Sequence, residues 1–452
     1  MSGHPAKHSG AAHHHEALTP LHTGAGTLFC ILFGFAIGHW LPMLHFLEGL
    51  VEWYTRIFLL IVLPFVSVTI LHSLSRMAEL KESSRVLGYA FSGLFIAALA
   101  TALLGVAVTA FLTELLPFDR TSALALADLA LRAEEGQVPV DVVSRLAEMS
   151  GGHGKGGIIE ALTSLIGDNL FAALQAGIFH QVVAGSFLVG LALAASRRKG
   201  LHVSQGLLTG LEHALQVMVG WLHMAAPAVI FIHAAVAGTL ISFETIWHMH
   251  VLILAQFLTA LLVVAVSFFV AARRLGRSMG ALREDFSAAV IAGLAARSEE
   301  AALPFLNEPG LRRCDSAAGE MISTVGLILG RFGVIGCVAA ASAYLISIYS
   351  IEWSALLFVQ LVAGAVIGGM VFAAGPLSPI SMSVTLAFAG GIIGLPHEAT
   401  AFAVIMLQPI IEIAVIPACV AGAIALTAAA PDFGEPSPEP ATGRLAKAPS
   451  RS

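Results

Sequence analysis

Along the chain, helix-length apolar runs alternate with short polar breaks. The first run extends from about Thr27 to Phe46 and carries Gly34 and Gly38 four apart, a spacing that lets two helices approach closely. The second covers about Val51 to Ser75, with Pro64 inside it and expected to kink it. The third covers about Val86 to Leu116. A charged segment, 117–165, then interrupts the pattern and ends in the glycine stretch 151–157. That stretch lacks the spacing of a phosphate-binding loop, and the segment is read as a flexible external loop. Apolar character returns over about Gly167 to Ala195, Val203 to Gly238 and Thr245 to Ala272.

Two units of a different kind follow. The first opens with an apolar arm of about 13 residues, Glu284 to Ala296, too short for a bilayer that needs ~20. Its polar tip is Arg297-Ser298-Glu299-Glu300, followed by Leu303-Pro304 and a second short arm that ends at Arg312-Arg313. A long apolar helix comes next, broken by Gly330-Arg331-Phe332-Gly333 and running to about Ile348. The second unit has arms at about Ser354 to Ala373 and Met382 to Gly394, around a tip from Gly375 to Ser381 that includes Ser378. The last helix, about His397 to Ala429, carries Glu412 and Pro417 in its apolar middle. Charges beside broken helices are costly in lipid and persist where the irregular backbone lines a cavity within protein.

Basic residues set the orientation. Arg76, Lys81 and Arg85, then Arg197, Arg198 and Lys199, then Arg273, Arg274, Arg277 and Arg283 fall on one face if each intervening helix crosses once. That face is cytoplasmic, as are both termini. The first hairpin then enters from the cytoplasm and the second from outside, an inverted repeat that points to a site at mid-membrane depth. The expected fold is an all-α polytopic membrane protein with eight transmembrane helices and two re-entrant helical hairpins.

Composition agrees with this picture. The chain has 452 residues, 57% hydrophobic and 12% charged, where soluble domains carry roughly 25% charged residues. Helix-length apolar runs exclude an outer-membrane barrel. A net charge of −6 without a basic block excludes a nucleic-acid partner. Cys30, Cys314, Cys337 and Cys419 stand singly on apolar stretches, with no metal or disulfide pattern. No nucleophile–base pair or metal motif indicates an enzyme, and no cofactor is called for. The tail 1–23, with six histidines, reads as disordered or weakly metal-collecting, and the Pro-rich tail 431–452 as disordered.

The order of elements resembles the dicarboxylate/amino acid:cation symporters, the glutamate-transporter homologues, over about residues 25–430. LLIVLPFVSV in the second helix is like the family's IPLVFxS run, and AAPAVIFIHAA in the fifth is similar to YAPIGVFALIA. Arg297 to Pro304, RSEEAALP, resembles the first-tip sequence RSSSGTLP, and Gly394-Leu395-Pro396 stands where the family has GLP. The resemblance implies a homotrimer in a bacterial plasma membrane. It also implies a scaffold of about 24–80 and 166–240, and a transport part of about 86–116 and 245–430 that moves like an elevator with solute and sodium.

The signature positions depart from the family. Its NMDGT motif falls on Gly330 to Val334, where only the glycine matches. In the last helix, the family's amine-binding Asp, carboxylate-binding Arg, Asn and sodium-binding Asp fall near Glu412, Val415, Cys419 and Ala423. The usual sodium ligands are therefore missing or weakened, because such cations need oxygen ligands. Arg331 admits three readings, one of which has it facing water because the motif alignment is shifted. Otherwise it forms a permanent ion pair with Glu299, Glu300 or Glu412 in place of the cation, or it binds an anionic solute through a bidentate contact. Burial favours a neutral carboxyl and a nearby Arg opposes it, so Glu412, Glu299 or Glu300 is placed to carry a proton. Ser298, Ser378 and Ser381 offer hydroxyls at the two tips. The leading function is secondary active transport of a small carboxylate or amino acid, coupled to protons or sodium. The alternatives are a non-transporting, sensor-like relative and a passive anion channel.

Overall fold

A computed structural model describes residues 21–77, 83–116, 169–176, 179–195, 201–240, 243–306, 317–371, 379–393, 397–431 and 433. The histidine-rich stretch 1–20, the whole charged segment 117–165, Lys81, Arg197 to Lys199, Arg312 to Cys314, the second tip through Ser378, Gly394 to Pro396 and the tail beyond residue 433 lie outside the described residues. Every regular element among the described residues is helical. Among the described residues, six helices are long and apolar enough to cross a membrane: Glu48–Arg76, Ser83–Leu115, Gln205–Thr239, His250–Leu275, Ala318–Ile348 and Ile411–Ala428.

Helix α1 (Gly24–Trp40) is capped by Thr23, whose hydroxyl accepts from the Gly26 N–H at 3.1 Å. It stops well short of Phe46, where the apolar run had been expected to end. Pro42 disfavours helical geometry in the residue before it, and Leu41 sits at φ −124°. The chain makes a 3-10 turn, Pro42–Leu47, and enters α2 (Glu48–Met77), which continues through Pro64 as one helix. Helix α3 (Ser83–Leu115) follows, then α4 (Leu170–Ala176), α5 (Phe179–Ala195) and α6 (Leu201–Leu240). A Cβ at Gly38 would lie 1.8 Å from the Ala235 carbonyl oxygen, and one at Gly238 would lie 2.2 Å from that of Phe35. The glycines let the α1 and α6 backbones touch.

The sixth expected span divides into α7 (Phe243–His248) and α8 (His250–Leu275), joined at Met249. Helix α9 (Met279–Ala296) is the first hairpin arm. It spans 18 residues rather than the 13 expected, because Ser278 caps it ahead of the apolar stretch, accepting from the Ala281 N–H at 3.3 Å. At 1.5 Å per residue it reaches about 27 Å, so length alone does not make it re-entrant. Its first turns expose Arg283 and Glu284. A 3-10 turn (Glu299–Ala302) and α10 (Leu303–Leu306) complete the first tip. The broken helix is α11 (Ala317–Ile328) and α12 (Phe332–Ile348). Then come α13 (Ala355–Val371), α14 (Pro379–Ile393) and α15 (His397–Ala428).

Packing gathers these helices around two centres. Helix α1 packs on α6, and α2 packs on α5 and α6. Separately, α3 and α8 pack on α12, and α15 contacts α8, α11, α12 and α14. From Phe332 to Ile346 every residue of α12 is buried. The two groups meet where α9 lies against α6 and α11 lies against α2. Arg76 on α2 reaches Glu320 on α11 across this seam at 3.2 Å.

Candidate functional site

Two breaks in helical backbone face each other. At the first tip, α9 ends with Arg297 in the left-handed region (φ 52°, ψ 36°). The Ser298 N–H donates to the Gly293 carbonyl at 3.0 Å and closes the cap. At the second break, Gly330 has no room for a side chain, since a Cβ would lie 2.1 Å from the Gly326 oxygen. Arg331 follows, also left-handed (φ 35°, ψ 42°), and heads α12. Left-handed geometry at a non-glycine residue is strained by about 1–3 kcal/mol and persists where surrounding structure holds it. Here both strained residues are arginines that grip carboxylates.

Arg331 is fully buried, as are Ser298, Glu299 and Glu300. Its Nε lies 3.0 Å from Glu299 Oε1. Its Nη2 donates to Glu300 Oε1, and the Ser298 hydroxyl donates to the other oxygen of Glu300. Two successive tip residues thus embrace one guanidinium. Glu412, the third carboxylate expected near Arg331, is gripped by Arg297. Nε donates at 2.9 Å and Nη2 at 2.6 Å, a bidentate contact. The five charged groups comprise two guanidiniums and three carboxylates.

Cys419 on α15 is buried beside the backbone N–H groups of Gly333 and Val334, in the first turn of α12. These donors have no partner within their own helix. The Val415 backbone is packed against the same turn, since a Cβ at Gly333 would stand 2.2 Å from its carbonyl oxygen. The positions from Gly330 to Val334, with Val415 and Ala423, contribute no side-chain oxygen. Ser378 lies outside the described residues, and Ser381 lies in α14 with its side chain undescribed.

Beside the Arg297–Glu412 pair is a cavity of about 40 Å³, lined by Ile31, Ile230, His233, Ala237, Leu294 and Glu412. That is space for a few waters and too little for an organic solute. The cavity lies on the seam between α1 and α6 on one side and α9 and α15 on the other. His233, on α6, lies within electrostatic reach of Arg297.

Arg297 and His233 were not among the sequence-derived site residues. Arg297 carried a legible signal, as the first charge after the apolar arm. The position of His233 depends on how α6 packs against the hairpin.

Two C4-dicarboxylate transport proteins match part of the chain. A C4-dicarboxylate transport protein of Rhizobium etli is 26% identical over 311 residues, covering 68% of this chain and 65% of that protein. One of Azorhizobium caulinodans is 27% identical over 311 residues, covering 68% and 64%. In both cases the matched region is less than two thirds of the relative's length. The profile of the sodium:dicarboxylate symporter family matches residues 25–431, from α1 to the end of α15. With helices that suit a membrane and charges gathered where two of them break, the chain is an integral membrane protein that belongs to the sodium:dicarboxylate symporter family, a family of transporters and not of enzymes.

Proposed function

We propose that this protein is a secondary active transporter of small dicarboxylates, driven by protons rather than sodium. The observation that carries the reading is the pair of left-handed arginines, Arg331 and Arg297, each holding carboxylates at a break in the helical backbone. A planar guanidinium suits a carboxylate, and the names of the two relatives supply the C4-dicarboxylate class. The solute's carboxylates exchange with those of the protein. With one of the site glutamates protonated, a guanidinium turns to the solute. Glu299, Glu300 or Glu412 binds the proton, Ser298 and Cys419 stand beside them, and Ser378 and Ser381 are further candidates for the site.

Sodium is disfavoured because the helix break and the facing positions of α15 lack side-chain oxygens, and hard cations bind through oxygen. The two packing groups support an elevator, with α1, α2, α5 and α6 as a fixed scaffold. Helices α3, α8, α9 and α11 to α15 form the moving part. A homotrimer in the plasma membrane with cytoplasmic termini, eight spans and two re-entrant hairpins belongs to the same proposal.

The test is uptake of labelled succinate into proteoliposomes. An inward proton gradient should drive accumulation, and a sodium gradient at matched pH should not. Sodium-driven uptake would defeat proton coupling. Occupation of both guanidiniums by protein carboxylates favours a second reading, a relative that keeps the fold without carrying solute. Absence of uptake and of exchange for any dicarboxylate would establish that reading instead.

A further inference from the structure

We infer that Glu299 is the proton-binding residue of this site, protonated in the closed arrangement, and that its charge state decides whether Arg331 is available to a solute carboxylate. This deepens the proposed transport function and rests on it for its role in coupling.

The charge count comes first. Glu299, Glu300 and Glu412 face Arg297 and Arg331, one negative charge in excess. Four of these five residues are almost wholly buried, and Arg297 keeps 22% of its side chain exposed. An uncompensated buried charge is strongly unfavourable, and a proton removes it. Three carboxylates compete for that proton. Glu412 has both oxygens bonded by Arg297. Glu300 accepts from Arg331 at one oxygen and from Ser298 at the other. Neither oxygen of Glu299 accepts a hydrogen bond of good geometry among the described residues, although Arg331 Nε is 3.0 Å away. Hydrogen bonds to a carboxylate favour its charged form. Glu299 has the fewest, so the proton resides there.

Arg331, Glu300, the backbone N–H of Glu299 itself and Glu412 act on Glu299 directly, and Cys419 on α15 faces it. His233, across the seam on α6, faces Arg297 and adds no negative charge. Helices α2 and α11 also touch the turn, and among the described residues no group on either acts on Glu299.

Coupling follows from electrostatics. With Glu299 ionised, two carboxylates hold Arg331 and repel a third. A proton arriving from the aqueous side forms the carboxylic acid O–H and removes one competitor. Arg331 then faces Glu300 alone, the cluster is neutral, and a solute carboxylate meets less repulsion. Loss of that proton on the far side returns the second carboxylate to Arg331 and expels the solute, and a new proton regenerates the closed, protonated arrangement.

Infrared spectroscopy of the purified full-length protein at neutral pH tests the assignment without a ligand. A buried carboxylic acid C=O band should be present in the wild type, disappear in Glu299→Gln, and move in Glu299→Asp. It should stay in place in Glu300→Asp and Glu412→Asp, which keep the charge count. A wild type without the band overturns the inference, as does a band that moves in Glu300→Asp or Glu412→Asp. Should neither Glu299 variant fold, those last two variants still decide. Proton-driven succinate uptake should be lost in Glu299→Gln. A band assigned to Glu299 in a protein that takes up no dicarboxylate would sink the transport reading alone, and uptake with the band elsewhere would sink this one alone.

Discussion

Replacing Arg331 by Met removes the guanidinium between Glu299 and Glu300 while keeping most of its volume. All three residues have no exposed surface, so water cannot compensate. In the wild type, three carboxylates face two guanidiniums and one proton balances them. In the variant, Arg297 alone remains, and neutrality requires one proton more. A glutamate with an ordinary value near ~4.3 binds a proton at pH 7 at a cost of about 1.4 kcal/mol per unit, or about 4 kcal/mol. That agrees with the ~3–5 kcal/mol found when one partner of a buried ion pair is removed. The sign is fixed by linkage. The folded variant holds a proton that the unfolded chain releases above ~4.3, so its stability falls as pH rises and returns as pH falls. At pH 5 the deficit shrinks to about 1 kcal/mol. Thermal unfolding of detergent-solubilised protein at pH 7 and pH 5 reads both values. The double variant Arg331→Met, Glu299→Gln restores the excess of a single charge and should recover most of the loss at pH 7. A single variant as stable as wild type at pH 7, or equally weakened at both pH values, would refute the charge argument.

Three other outcomes follow from the geometry. Gly38→Leu drives a side chain into the Ala235 backbone, where even a Cβ would lie at 1.8 Å, and should cost about 3 kcal/mol or abolish folding. Gly24→Ala, with nothing within 4 Å, should be silent, and size-exclusion profiles of the two compare them. His72→Leu leaves Glu212 without the imidazole that lies 2.5 Å from it, and should lower stability by about 1–3 kcal/mol, whereas Leu at both positions should recover most of it. Thermal shift in sodium chloride and potassium chloride of equal strength should coincide, while succinate at 100 times its Kd should stabilise by about 2.7 kcal/mol.

Particular elements show how far local pattern reaches. The break at Gly330-Arg331 was legible because a glycine and a charge interrupt an otherwise apolar helix, and the chain does leave helical geometry there. A close helix approach at Gly34 and Gly38 was legible from their spacing, but that the partner is α6 was not. Boundaries set by single polar residues were less so. Pro42 ended α1 early, and Ser278 began α9 ahead of its apolar stretch. The partner of Glu412 was not legible, because three acids and two arginines allow several pairings and sequence order favours none of them.

Apolar runs of helix length, few charges and two interrupted segments determined by themselves that the chain would be helical, membrane-embedded and built around a polar centre. Hydropathy is a property of single residues summed over a window, so it survives without coordinates. The choice of partners is a property of distances across the fold. Tertiary structure alone gave Arg331 to Glu299 and Glu300, gave Glu412 to Arg297, and left Glu299 with the poorest hydrogen bonding of the three acids. Those pairings depend on how α9, α12 and α15 pack, and buried charges answer to whichever groups lie within a few ångströms.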